Sequence, residues 1–225
     1  MKNAIALIIA TCLASAPGWA QQRAAGPDLA TIADPRAWKV SNATPEAVNV
    51  DGKRAARLTA AGDSANGIVG LALPVGVAFD TGVIEVDLKG RNVRQRSFLG
   101  VAFNVVDDRT FEGVYFRPFN FKAEPPVDGR SVQYIAWPEK TWERLRKDRP
   151  GQFEQPVRPV PDPDGWFHAR IRVTSKEVRV FVNDATEPSL VVVRLAPGGV
   201  KRPMGLFVDS AEGVYANLTI TPDNP

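Results

Sequence analysis

From about residue 55 onward the chain alternates apolar and polar residues with a period of two. GVIEVDLK (82–89) places Ile84, Val86 and Leu88 on one face, with Glu85, Asp87 and Lys89 on the other. WFHARIRV (166–173) sets Phe167, Ala169, Ile171 and Val173 against His168 and Arg170. Such alternation marks strands with one face in a core. Strands are predicted over 55–59, 67–73, 83–89, 98–106, 113–119, 132–137, 166–174, 178–183, 191–195, 205–209 and 214–221. Turn pairs such as Asp51-Gly52, Asp107-Asp108, Asp128-Gly129, Asp164-Gly165 and Asn183-Asp184 fall between them. An earlier strand is expected between residues 28 and 49, the stretch that holds Trp38. Many short strands without alternating helices predict an all-β antiparallel sandwich.

Two segments depart from this texture. PEKTWERLRKDRPG (138–151) carries Glu139 early, Arg146 and Lys147 late, and Pro150-Gly151 as a stop, which predicts one short helix. Trp142 and Leu145, three apart, are expected to share its docking face. The other segment is GVYFRPFNF (113–121), where Val114 and Phe116 oppose Tyr115, Arg117, Phe119 and Phe121. One set suits a core. The second either lines a groove, with Tyr115 and Phe119 as apolar platforms and Arg117 between them, or lies under the helix or the proline-rich stretch QPVRPVPDPDG (155–165). Gly100 and Ala102, small residues on the same phase of their strand, leave room for a groove.

Composition narrows the setting. The first twenty of the 225 residues carry Lys2, an apolar run from Ala4 to Leu13, then Pro17-Gly18 and small residues before Gln21. This pattern predicts a signal peptide over 1–20, a flexible tail over 21–29 and one domain over 30–222. The apolar run is too short to span a bilayer, and no longer one follows. A periplasmic or extracellular location is therefore expected. Cys12 is the only cysteine and would leave with the leader, so neither a disulfide nor thiol chemistry is expected. Loss of Lys2 lowers the formal net charge from +3 to +2, a balance that implies no nucleic-acid partner. Oligomeric state is not legible.

The last third of the chain is familiar. GWFHARIRVTSKEVRVFVND and MGLFVDSAEGVYANLTI, together with TGVIEVDLKG, resemble strands of concanavalin A-like jelly rolls. Within that group the chain is most similar to laminin-G-like and 3-keto-disaccharide hydrolase-like exported bacterial domains. The resemblance implies a jelly roll over most of the chain and a carbohydrate partner. It leaves open recognition without turnover, cleavage of glycosidic bonds by a hydrolase or lyase, and an adhesion or scaffold role.

For recognition, the expected contact residues are Asn104, Tyr115, Arg117, Gln133 and Trp137, since sugar rings need aromatic platforms and a few fixed polar groups. For cleavage, the acid–base candidates are Glu85, Asp87, Glu112 and His168. Glu85 and Asp87 share a strand face about 7 Å apart, within reach of a glycosidic bond. Laminarinase-like glycosidases on this fold carry a third acidic residue where Lys89 and Gly90 stand here, which weakens that mechanism. His168 is the single histidine, so no zinc set exists. Asp107, Asp108 and Asn120 offer oxygen ligands of the kind calcium takes in this fold; adjacent aspartates equally make a turn. Basic clusters at Arg91, Arg94 and Arg96 and at Arg144, Arg146, Lys147 and Arg149 would favour an anionic glycan if they flank the groove.

Overall fold

The computed structural model describes residues 26–62 and 67–223, so the expected signal peptide and residues 21–25 lie outside the described residues. Period-two sequences become two antiparallel seven-stranded sheets packed face to face. One sheet runs in the order β1 (Trp38–Ser41), β4 (Gly70–Pro74), β15 (Gly205–Asp209), β7 (Phe98–Asp107), β8 (Thr110–Phe116), β9 (Val132–Trp137) and β10 (Glu154–Gln155). The other runs β13 (Leu190–Val193), β12 (Glu177–Val182), β11 (Trp166–Val173), β6 (Gly82–Lys89), β16 (Glu212–Pro222), β3 (Lys53–Ala60) and β2 (Ala43–Val50). A small pair, β5 (Ala78–Phe79) with β14 (Arg202–Pro203), stands apart from both.

The inward residues of the two sheets meet in one core. Ile84, Val86 and Leu88 of β6 and Phe167, Ala169 and Ile171 of β11 are buried against Val114 and Phe116 of β8. Phe116 and Phe167 meet edge to face at 5.1 Å, the arrangement ring quadrupoles prefer. The chain is thus an antiparallel β-sandwich with a single short α-helix, α1 (Trp142–Asp148), among the described residues. Thr141 caps that helix by accepting a hydrogen bond from the Arg144 amide.

Differences from the pattern have local causes. β8 stops at Phe116, where Pro118 opens a 3-10 turn over Pro118–Asn120. A proline there has no N–H to extend the ladder. β4 begins at Gly70 rather than 67. Residues 26–29, expected in the tail, are packed: Asp28 caps a 3-10 turn over Leu29–Thr31, and Leu29 is buried. In α1 only Leu145 docks, while Trp142 is 37% exposed.

Candidate functional site

β7, β8, β9 and β15 carry their second face outward. Register places Gly100 of β7 between Tyr115 of β8 and Phe207 of β15. A side chain at Gly100 would meet the Val114 carbonyl oxygen at 2.1 Å and the Tyr115 Cα at 2.6 Å, so glycine is required there. The Tyr115 and Phe207 rings consequently stack over this gap at 5.3 Å. Both are buried, and together they form a floor. Burial pushes the Tyr115 hydroxyl pKa up to about 12, opposed by the Arg117 charge. The phenol therefore stays neutral.

Arg117 lies on this floor at only 5% exposure. Its guanidinium sits 4.9 Å from the Tyr115 ring and 5.7 Å from that of Phe98. Nη2 donates to the Tyr115 hydroxyl at 2.7 Å and to Gln133 Oε1 at 3.0 Å, while Nη1 donates to the Arg130 carbonyl at 2.9 Å. A planar fork with several donors suits this wiring better than an ammonium would. Glu154 Oε2 stands 3.7 Å from Nη1 but is already engaged, because Arg146 grips both Glu154 oxygens at 2.7 and 2.6 Å.

Above this floor opens a cleft of about 690 Å³. Phe98 and Phe119, edge to face at 5.4 Å, form one wall. Trp137, held against Phe111 at 5.7 Å, and Trp142, with Arg146 over its ring at 4.7 Å, form another. The helix therefore borders the cleft instead of covering it, and Tyr115, Arg117 and Phe119 of GVYFRPFNF face a groove. Phe121, expected with them, turns instead into the core, where its ring meets Phe167 edge to face at 5.2 Å, because the 3-10 turn over Pro118–Asn120 ends the strand period before it. Five arginines line the space, namely Arg94, Arg109, Arg117, Arg130 and Arg146, against the carboxylates of Glu143 and Asp209.

Of the expected contact residues, Tyr115, Arg117 and Trp137 line this cleft. Gln133 lies beneath it, buried and bonded to Arg117. Asn104 is elsewhere. Strict alternation would put it on the outward face, but the register of β7 against β8 shifts after Phe103, and Asn104 takes a positive φ of 52°. Its side chain turns inward and donates to Glu112 Oε2 at 2.9 Å.

None of the acid–base candidates is in the cleft. Glu112 is fully buried between the sheets, where it accepts from Tyr134 at 2.5 Å and pairs with Arg194 at 3.0 Å. Glu85, Asp87 and His168 do come together, but on the outward face of the other sheet. His168 and Asp87 are register partners on β11 and β6, and Nδ1 lies 2.8 Å from Oδ1. Lys53 and Asn217 hold the second Asp87 oxygen at 2.5 and 2.7 Å, and Glu85 stands 3.5 Å from His168 Nε2. Burial raises the Asp87 pKa, yet the bonds from His168, Lys53 and Asn217 outweigh it and hold the group at about 2. The hydrogen bond that His168 donates to Asp87 raises the His168 pKa against partial burial.

The calcium candidates are not assembled. Asp107 and Asp108 form the β7–β8 turn, accepting from the Arg109 amide and from Asn42, while Asn120 follows the far end of β8 and donates to the Arg130 carbonyl. Among the described residues no group of three or more His, Cys, Asp or Glu side chains is placed to hold a metal ion. Of the two basic clusters that the sequence marked, Arg94 and Arg146 reach the cleft, whereas Arg91 and Arg144 are paired outside it with Glu212 and Glu139. Phe98, Arg109, Arg130 and Phe207 gave no signal of their own, since loop courses and sheet order bring them here.

No protein-family model matches the chain, and no curated protein matches it. Solved structures do share its fold. A carbohydrate-binding module, CBM66 from Bacillus subtilis, superposes with a TM-score of 0.56 at 12% identity, covering 82% of this chain and 94% of that one. A Bacillus subtilis protein of unknown function with a galectin-like fold gives 0.52 at 13% identity, covering 86% and 93%. A functionally unknown protein from Saccharomyces cerevisiae gives 0.51 at 13%, covering 84% and 97%. At these identities the likeness establishes the architecture, a concanavalin A-like jelly roll.

Proposed function

We propose that the chain is an extracytoplasmic carbohydrate-recognition domain whose ligand occupies the cleft over Tyr115 and Arg117. One observation carries this reading: an open, aromatic-walled cleft on a rigid sheet, with guanidinium groups set among the rings. Sugar rings present apolar C–H faces and a rim of hydroxyls, so ring platforms with fixed donors are the complement they need. The signal-peptide pattern of residues 1–20 supports the location, and a carbohydrate-binding module among the structures of like fold supports the ligand class. The excess of arginine favours acidic saccharides.

Recognition without turnover is preferred because Glu85, Asp87, Glu112 and His168 all stand outside the cleft. A glycosidase needs two carboxyl groups flanking one bond, a role that would fall here to Glu143 and Asp209, the carboxylates on the lining. Calorimetric titration with neutral and acidic oligosaccharides, followed by a reducing-end assay, tests the proposal. Binding without new reducing ends is expected, and Trp137→Ala should weaken it about tenfold, the worth of one lost ring platform. Release of reducing ends would transfer the protein to the enzyme class. No binding to any saccharide would leave the adhesion or scaffold reading.

A further inference from the structure

The arginines are not spread evenly, and their bonding separates two kinds. Arg146 is neutralised by its two-oxygen grip on Glu154. Arg117 is buried and its donors are spent on Tyr115, Gln133 and a backbone carbonyl. Arg94 and Arg130 line the same cleft, yet their side chains make no hydrogen bond or ion pair among the described residues. Arg130 is also held in place from behind. Its carbonyl accepts from both Arg117 Nη1 and Asn120 Nδ2, at 2.9 and 3.1 Å, so its backbone is fixed while its guanidinium remains uncommitted.

Charge balance at this end of the cleft is consequently incomplete. Two guanidiniums, those of Arg117 and Arg146, share one carboxylate, Glu154, at 3.7 and 2.6 Å, and a third, that of Arg130, lines the same cleft. The strain shows in Arg117: burial lowers its pKa, Tyr115 and Glu154 oppose this, and the cations Arg146 and Arg130 add to the lowering. A buried cation crowded by like charge gains most from an anion delivered into the site. Charged groups of one sign in a low-dielectric cleft also concentrate an oppositely charged ligand.

The geometry points to a carboxylate subsite in which Arg130, assisted by Arg94 and backed by the fixed charge of Arg117, binds the acid group of a uronate-containing saccharide while its rings lie along Trp137 and Trp142. This rests on the carbohydrate reading above and assigns the residue that selects acidic over neutral sugars. A guanidinium binds a carboxylate through two parallel N–H donors, which the hydroxymethyl group of the matching neutral sugar cannot accept in the same way.

The test uses oligogalacturonate and oligomannuronate beside their carboxyl-reduced counterparts, titrated into the protein and into Arg130→Gln. At least one uronate series should bind about tenfold or more tightly than its reduced form, as expected for a charge-assisted hydrogen bond. Its affinity should fall as salt rises from 20 to about 500 mM. Arg130→Gln should remove most of that preference, weakening the uronate far more than its reduced form, and should leave the fold intact, since the side chain makes no hydrogen bond among the described residues. Equal binding of both forms, or uronate binding indifferent to salt and to Arg130→Gln, overturns the subsite but leaves carbohydrate recognition standing. Failure of every saccharide, charged or reduced, overturns both.

Discussion

At the scale of single residues the site depends on Arg117, whose charge is locked into the sheet. Its fork reaches a phenol, an amide and a carbonyl at once; the first two are buried on their strands and the third is held by a 3-10 turn. Arg117→Lys keeps the charge but can reach one of the three acceptors well, so Gln133 and the Arg130 carbonyl lose a partner inside the protein. A loss of about 1–3 kcal/mol in urea unfolding is expected, with saccharide affinity falling in parallel. Unchanged stability would mean that the three bonds do not constrain the floor. Period two was enough to read Tyr115 and Arg117 on the second face of GVYFRPFNF from the sequence; Phe119 and Phe121 lie past the end of β8, where the 3-10 turn sends one ring to the cleft and the other to the core. Trp137 was a candidate on a strand whose phase period two left open. Phe98, Arg130 and Trp142 were not legible as wall residues. Phe98 is the first residue of β7 and owes its place to sheet order, while Arg130 and Trp142 sit on a 3-10 turn and a helix edge, where no strand periodicity records direction.

At the scale of elements, the long strands were legible because burial repeats along them, and β11 alternates at every position. The two-residue strands β5, β10 and β14 are too short to show a period. The irregularity in β7 was hidden for a different reason: a single positive-φ residue reverses the phase, and Asn104 tolerates that conformation without announcing it. The reversal has a structural use. Asn104 completes an interior polar network in which Glu112 of β8 is bound by Tyr134 of β9 and by Arg194, just after β13, while Arg194 also reaches Asp80 beside β5 at 2.9 Å. One buried cation thereby ties Glu112 of β8, in one sheet, to the end of β13, in the other, and to Asp80 beside β5. Arg194→Met should leave Glu112 buried and unpaired, at a cost of about 3–5 kcal/mol in chemical denaturation. Adding Glu112→Gln should recover part of that loss, because the stranded charge is then gone. Additive losses would show that the two side chains stabilise the fold independently.

At the scale of the whole molecule, the carboxylates that sequence spacing selected and the aromatics that line the cleft sit on opposite sides of the sandwich. Alternation distinguishes inward from outward on each strand, but two sheets have two outward faces, and only strand order tells them apart. The His168 cluster is therefore a feature of the far face, and its effect should appear in stability. Asp87 is held at about 2, below its unfolded value of 3.8. A group depressed in this way stabilises the fold above pH 3.8 and loses that contribution as pH falls through about 2. For Asp87 the contribution is about 2 kcal/mol. His168 is raised above its unfolded value of 6.5, by Asp87 first and with Glu85 adding to it. Its contribution is complete below 6.5 and disappears as pH rises through the folded value. The charged groups that face it are Lys53 on β3 and Asp87 and Glu85 on β6. Unfolding free energy should accordingly include a plateau from this cluster between about pH 4 and 6.5. In His168→Gln the alkaline shoulder should vanish, while uronate affinity at the distant cleft stays unchanged at every pH. A shoulder that survives the substitution would assign it to another group, and a change in affinity would mean that the two faces are coupled through the core.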